Sequence, residues 1–546
     1  MEGPSHSDNH EPPPLSSSSA SKQTEAQPLE GRPVDLIEQK AASPPSGMNM
    51  SLEHNEQHTT NQKPERVPLQ LVSKHYRLAD DERTPAARYD SLKRVCYFHM
   101  EPKTEITLSQ VDGSLCTHLI LAFARINPDA KLVVWHQSDY DYLGQVPEFK
   151  RKYPSVKVML SVFNDCEFNG FPMLAHANNE LRYKFAKSVV ELLETFQLDG
   201  IDLHWEFPNF PSSLFGSRGE CERAGLTKIL KALRSAIVEN FFCRQQCEQQ
   251  QELSRQSSRS GGGCASGYSS SVTNQAHQVE PHLLTVAIGC QEAILRASYE
   301  LKQLANLCDW LNVMSYDYFL FKPYLPFTGP SAPLNPIVEH YPILNKLSLS
   351  WTVQRLLDEG LDKEKLVLGI PCYARAYRLV FRQTTPPVPF TLALGAKGGR
   401  HMEDRLNYRE VLELLGKPDS IVEFDERARV PYLLADSGYT WVSYENEQSA
   451  REKVRYILDR ELGGYMTWNL NSDDFTGGVR KDSVDLLDTP PQETNQANSN
   501  SSQNNGYSAK RASQQNEQRS TTTSTEVFPL HRAMLDEALN NRTNVK

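Results

Sequence analysis

The chain has 546 residues, 39% of them hydrophobic, a formal charge of -10 and a mean hydropathy of -0.54. An acidic balance with no long basic stripe argues against nucleic acid as the main partner. No apolar run approaches the roughly 20 residues of a bilayer-spanning helix, so no membrane span is expected, and so polar an average places much of the chain outside any core.

Residues 1–90 are rich in Pro, Ser, Glu, Gln, Asn and His, without sustained apolar periodicity, and are predicted to form a disordered N-terminal tail. The Met1 end shows no charged stretch followed by the apolar run of a secretory signal. From 91 to 541 the pattern changes, and 542–546 is expected to be a C-terminal tail. β-Branched apolar runs now alternate with helical patterns, the mark of parallel strands joined by crossover helices.

Candidate strands run Arg94–Phe98, His118–Ala124, Lys157–Phe163, Gly200–Phe207, His282–Gly289, Trp310–Tyr316, Lys365–Ala374 and Gly464–Leu470, with helices at Leu181–Phe196 and Glu222–Phe241. Such units predict an α/β fold, a (β/α)8 TIM barrel. Two polar stretches, 244–280 around Gly261-Gly262-Gly263 and 479–527, are expected to be mainly disordered loop insertions. Residues 376–447 hold too much sequence for one crossover. After the second polar stretch, Phe528–Leu539 has Pro near its start and apolar residues at helical spacing, which suits a closing helix.

The most informative segment is Leu198-Asp199-Gly200-Ile201-Asp202-Leu203-His204-Trp205-Glu206-Phe207-Pro208. On a strand, alternate side chains share a face, so Asp202, His204 and Glu206 point one way and Ile201, Leu203, Trp205 and Phe207 the other. Crowding three ionisable groups costs several kcal/mol for each unpaired ion, which an ordinary structural strand does not bear. A solvated edge strand with scattered acids is the alternative, and the apolar second face speaks against it. Three ligands on one strand converge poorly, so a metal is not expected there.

This segment resembles the signature of the family 18 glycoside hydrolases, the chitinases and chitinase-like lectins, which reads Asp-Gly-x-x-Asp-x-Asp-x-Glu. Asp199-Gly200-Ile201-Asp202-Leu203-His204-Trp205-Glu206 departs by one residue of spacing and by His204 in place of the third acid. Met314-Ser315-Tyr316-Asp317, Leu368-Gly369-Ile370-Pro371-Cys372-Tyr373-Ala374-Arg375 and Gly463-Gly464-Tyr465-Met466-Thr467-Trp468-Asn469-Leu470 are similar to motifs of the sixth, seventh and eighth strands.

The resemblance implies roles. Glu206 would be the proton donor, Asp202 its buried partner, and Asp199 would open the catalytic set; Tyr97 and Ser161 would support Asp202. Trp468 would lie under the sugar, with Met314, Tyr316 and Asp317 at its rim, whereas Trp205 and Trp310 are read as core. The implied ligands are chitin or N-acetylglucosamine oligosaccharides, with no cofactor. A small α+β insertion domain is implied at 376–447. A Cys96–Cys116 disulfide is implied too, although two buried free thiols fit the residues equally well.

His204 changes the chemistry. In the resembling enzymes the sugar's own acetamide attacks, and the middle acid holds it. An imidazole supplies no negative charge, either to keep a neighbouring acid protonated or to steady the cationic intermediate. The third strand departs as well, with Ser161-Val162-Phe163-Asn164 where the family has Ser-x-Gly-Gly, so side chains enter space that glycines leave open. The expected function is therefore glycan binding with hydrolysis weak or lost. A slow or altered hydrolase using Glu206, and a vestigial barrel whose tails recruit protein partners, remain open.

Overall fold

The computed structural model describes residues 91–100, 106–164, 169–210, 221–259, 280–338, 340–399, 405–477 and 527–544. The expected tail at 1–90 and all but the last residue of the expected insertion at 479–527 lie outside the described residues.

In chain order the strands are β1 (Lys93–His99), β2 (His118–Ile126), the short β3 (Leu132–Val134), β4 (Lys157–Phe163) and β5 (Gly200–His204). Next come β6 (Leu283–Gly289), β7 (Trp310–Met314) and β8 (Leu366–Pro371). β9 (Tyr373–Leu379), β10 (Ala393–Lys397), β11 (Leu406–Asn407), β12 (Ile421–Asp425), β13 (Val430–Ala435) and β14 (Thr440–Ser443) follow, and β15 (Gly464–Trp468) is last.

β1, β2, β4, β5, β6, β7, β8 and β15 pair in parallel in that order, and β1 closes the ring by bonding both β15 and β2. The result is a (β/α)8 TIM barrel, with β3 added antiparallel to β2. The alternation of strand side chains divides the interior in two. Ile201, Leu203 and Trp205 face outward into the core shared with the helices, while Val95, Tyr97, Met159, Trp310 and Met466 fill the barrel itself. Trp205 and Trp310 are both buried, as core residues are.

The helix Asn179–Thr195 begins where the Asn178 side chain accepts the Leu181 amide, and it buries Phe185, Val189 and Leu193 at four-residue spacing. The next helix, Cys221–Arg259, corrects an expectation: residues 244–259, read as the start of a disordered loop, continue the helix. Gln, Glu and Arg dominate from Arg244 to Arg259 with no Gly or Pro, and extending an anchored helix through such residues costs little.

The seventh strand also differs. It was expected to run unbroken to Ala374, but the chain leaves the barrel after Pro371, which has no N–H to continue a ladder, and Tyr373 starts a second sheet. That sheet is antiparallel, ordered β10-β9-β14-β13-β12 with β11 on β9, and it carries the helix Tyr408–Leu415 and a core of Tyr377, Tyr432 and Trp441. Its six strands account for the surplus sequence between the last two barrel strands.

The closing helix spans Pro529–Asn544, reaching into the expected 542–546 tail. His531 fastens it to the barrel, Nδ1 lying 2.7 Å from Asp473 Oδ2 and Nε2 2.8 Å from Thr467 Oγ1. Cys96 and Cys116 form a disulfide that ties β1 to the turn before β2. No helix among the described residues is long and apolar enough to cross a membrane.

Candidate active site

Parallel register builds the floor of the site. Ser161, Asp202 and Thr285 are Cα partners on adjacent strands, so their inward side chains lie in one layer. Asp202, wholly buried, accepts four hydrogen bonds: Oδ2 from Tyr97 Oη at 2.9 Å and Ser161 Oγ at 2.7 Å, Oδ1 from Thr285 Oγ1 at 2.7 Å and Asn312 Nδ2 at 3.1 Å. These donors fill the carboxylate's acceptor positions. Asn312 also donates to Tyr97 Oη at 3.1 Å, and its carbonyl is held by Trp310 Nε1 at 2.9 Å. Burial first and Asp202 second hold the Tyr97 hydroxyl well above its usual range, which keeps it a donor. Thr285 and Asn312 escaped the sequence reading. Inward parity on β6 and β7 was the only signal for them.

His204 does not join this network. Its Nε2 lies 2.8 Å from Glu206 Oε1, and its buried Nδ1 has no hydrogen-bond partner among the described residues. Aromatic rings enclose the imidazole: Phe123 at 5.1 Å between centroids, Trp468 at 5.6 Å, Phe163 at 5.7 Å and Tyr97 at 6.0 Å. Phe123 also stacks on Trp468 at 5.6 Å and meets Phe163 at 4.8 Å, so one slab of rings runs from β15 across β2 to β4. Asn164, just past the end of β4, takes part directly. Asn164 Oδ1 accepts the Glu206 amide at 2.9 Å, and its Nδ2 donates to the Glu206 carbonyl at 3.3 Å. The Glu206 backbone is thereby clamped while its side chain stays 41% exposed at the mouth.

Above the floor opens a cleft of about 1330 Å³ lined by His204, Glu206, Met314, Tyr316, Asp317 and Trp468, among others. Asp317 is gripped by Arg375, whose Nε donates to Oδ1 at 2.8 Å and Nη2 to Oδ2 at 2.5 Å, the planar fork that suits a carboxylate. Burial, with Tyr373, Glu206 and Asp317 near, raises Tyr316 well above its usual range, so it offers a neutral hydroxyl. Tyr97, Ser161 and Asp202 lie beneath the cleft. Asp199 lies apart from the set it was grouped with. It precedes β5 at the far end of the strand, accepting the Val158 amide at 2.7 Å and pairing with Lys150 at 2.9 Å. There it joins the start of β5 to β4, outside the lining of the cleft.

The chain matches the family model for glycosyl hydrolases family 18 over residues 93–473. It is 26% identical over 397 residues to human chitinase-3-like protein 2, covering 70% of this chain and 88% of that protein. To mouse chitotriosidase-1 it is 28% identical over 394 residues, covering 70% and 73%. Among solved structures, the Ostrinia furnacalis group IV chitinase superposes with a TM-score of 0.60 at 23% identity, covering 82% of this chain and all of that one. Human YKL-39, described as a pseudo-chitinase with retained chitooligosaccharide binding, superposes with a TM-score of 0.58 at 24% identity over 71% of this chain and 95% of its own. A match to the family model that spans most of the barrel makes this chain a member of glycosyl hydrolase family 18.

Proposed function

We propose that the protein binds N-acetylglucosamine oligosaccharides in this cleft and hydrolyses them weakly or not at all. One observation carries the reading: the group beside Glu206 is an imidazole joined to it at 2.8 Å, while Asp202 spends its acceptor positions on four other residues. Among the described residues no carboxylate is hydrogen-bonded to the Glu206 side chain, and no relay links it to the buried acid. Losing one preorganised contact of this kind costs roughly 10²–10³ in rate.

Binding has better support. A pyranose has apolar faces and a polar rim, matched by Trp468 below and by Tyr316 and Asp317 beside it. If His204 gives its Nε2–H to Glu206, Nδ1 becomes a buried acceptor, a neutral counterpart for an acetamide N–H. YKL-39 offers a precedent for binding that outlasts catalysis. The exposed Glu206 carboxyl favours a second reading, slow hydrolysis with Glu206 as the acid.

The test is calorimetry with chitotetraose together with fluorophore release from chito-oligosaccharides. Micromolar to millimolar binding without release is expected. Release that vanishes in Glu206→Gln selects the slow hydrolase, and absence of both binding and release rejects the glycan reading.

A further inference from the structure

The cleft has two unlike walls. Besides the aromatic slab, the loop after β7 and the start of the insertion domain present Tyr324, Leu325, Phe327, Ile343, Leu347 and Phe390 to the same cavity. This wall is wet as well as apolar: Ile343 is 79% exposed, Tyr324 66% and Leu325 50%. Half of the large apolar side chains exposed among the described residues lie in 324–327, 341–343 and 388–392. Clustered exposed apolar side chains that line a cavity are characteristic of binding surfaces.

The wall is also rigidly made. Phe327 and Leu392 form a β-bridge, the Thr328 amide donates to the Thr391 carbonyl at 2.8 Å, and the Phe390 amide donates to the Thr328 carbonyl at 2.9 Å. Phe319 packs its ring against Phe390 at 5.8 Å. These bonds tie 327–328 to 390–392, and among the side chains on this wall Leu325, Ile343 and Leu347 are aliphatic.

Aliphatic side chains are poor partners for a sugar. Hydroxyl groups laid against Leu325, Ile343 and Leu347 would leave water without gaining hydrogen bonds, which costs binding. An alkyl chain gains there, at roughly fourfold in affinity for each methylene taken out of water. Continuity with the sugar subsite fixes the kind of occupant, because one cavity holds both surfaces.

We infer that the ligand is amphipathic: an N-acetylated amino-sugar oligosaccharide carrying a covalently attached alkyl or acyl chain, with the sugar over Trp468 and the chain along the Leu325–Ile343 wall. The inference rests on the glycan reading above and adds the class of substituent.

The probes are chitotetraose, the same oligosaccharide with an octyl group on its reducing-end oxygen, and one with an octanoyl group on its non-reducing-end nitrogen. All are measured by calorimetry below their micellar concentrations, with octyl glucoside as the alkyl control. At least one chain-bearing probe is expected to bind tenfold or more tightly than chitotetraose. In Leu325→Ser/Ile343→Ser, two changes at exposed positions that should fold normally, that gain should shrink to within about twofold while chitotetraose affinity holds. Equal affinity of all three oligosaccharides, or a gain that the double variant retains, overturns the inference, leaves the wall to a protein surface and leaves the glycan reading intact. Failure of every oligosaccharide to bind overturns both.

Discussion

At position 204 an imidazole stands where the family signature implies a carboxylate, and aromatic rings surround it. Phe123, Phe163 and Trp468 enclose it, and Phe163 fills space that a glycine would leave empty. An acid placed at 204 alone therefore supplies charge without room. His204→Asp is expected to raise turnover of fluorogenic chito-oligosaccharides by less than about tenfold, well short of the 10²–10³ carried by such a contact. Adding Phe163→Gly should raise it at least tenfold more. A single variant as active as the double one would show that space is not the obstacle. The shared inward face of Asp202 and His204 was readable from strand parity, and Glu206, two residues past the end of β5, meets His204 there. Asn164's grip on the Glu206 backbone was not, since it joins two strands 42 residues apart.

At the scale of elements, parallel strands bring charged and polar groups from distant segments together, and that makes stability depend on pH. His118, at the start of β2, packs edge-on against Trp310 at 4.7 Å, its Nδ1 2.8 Å from Thr117 Oγ1. Burial first, then Lys93, Lys157 and Arg94, pushes it down to about 3. The fold keeps the ring neutral where the unfolded chain takes up a proton, below about pH 6.5. Its contribution is thus complete above that pH and is lost as pH falls toward 3. Between pH 7 and pH 5 this amounts to about 2 kcal/mol at most, less in proportion to residual solvent access. Urea unfolding of the native protein and His118→Gln at both pH values checks it: the variant should lose less stability on acidification, and parallel losses would remove His118 as the cause. The same scale produced a misread element as well. Polar composition from Arg244 onward suggested disorder, yet a helix already nucleated by its buried half continues through it.

Over the whole molecule, the barrel closes only when its two ends meet. β1 pairs with β15, and the helix Pro529–Asn544, arriving after the long polar insertion, sets His531 between Asp473 and Thr467, the residue before Trp468. Cys372 Sγ lies 3.9 Å from the same imidazole, so the end of β8 shares the contact. Replacing the ring by a hydrocarbon removes a bond to a buried carboxylate that keeps its backbone donors from His531 and Asp474. His531→Leu is expected to cost about 2–3 kcal/mol in denaturant unfolding, and His531→Gln, which retains a donor, clearly less. Equal costs would assign the effect to packing.

The sequence by itself determined the barrel, its strand order and the inward face of β5, because each is written in short-range periodicity or in a local motif. Tertiary structure alone decided who partners whom. Thr285 and Asn312 complete the cradle of Asp202, Asp199 falls to the far end of its strand, and exposed aliphatic side chains gather on one wall of the cleft. Such choices depend on register between strands and on loops meeting through space, and no pattern along a single segment encodes the distance between two others.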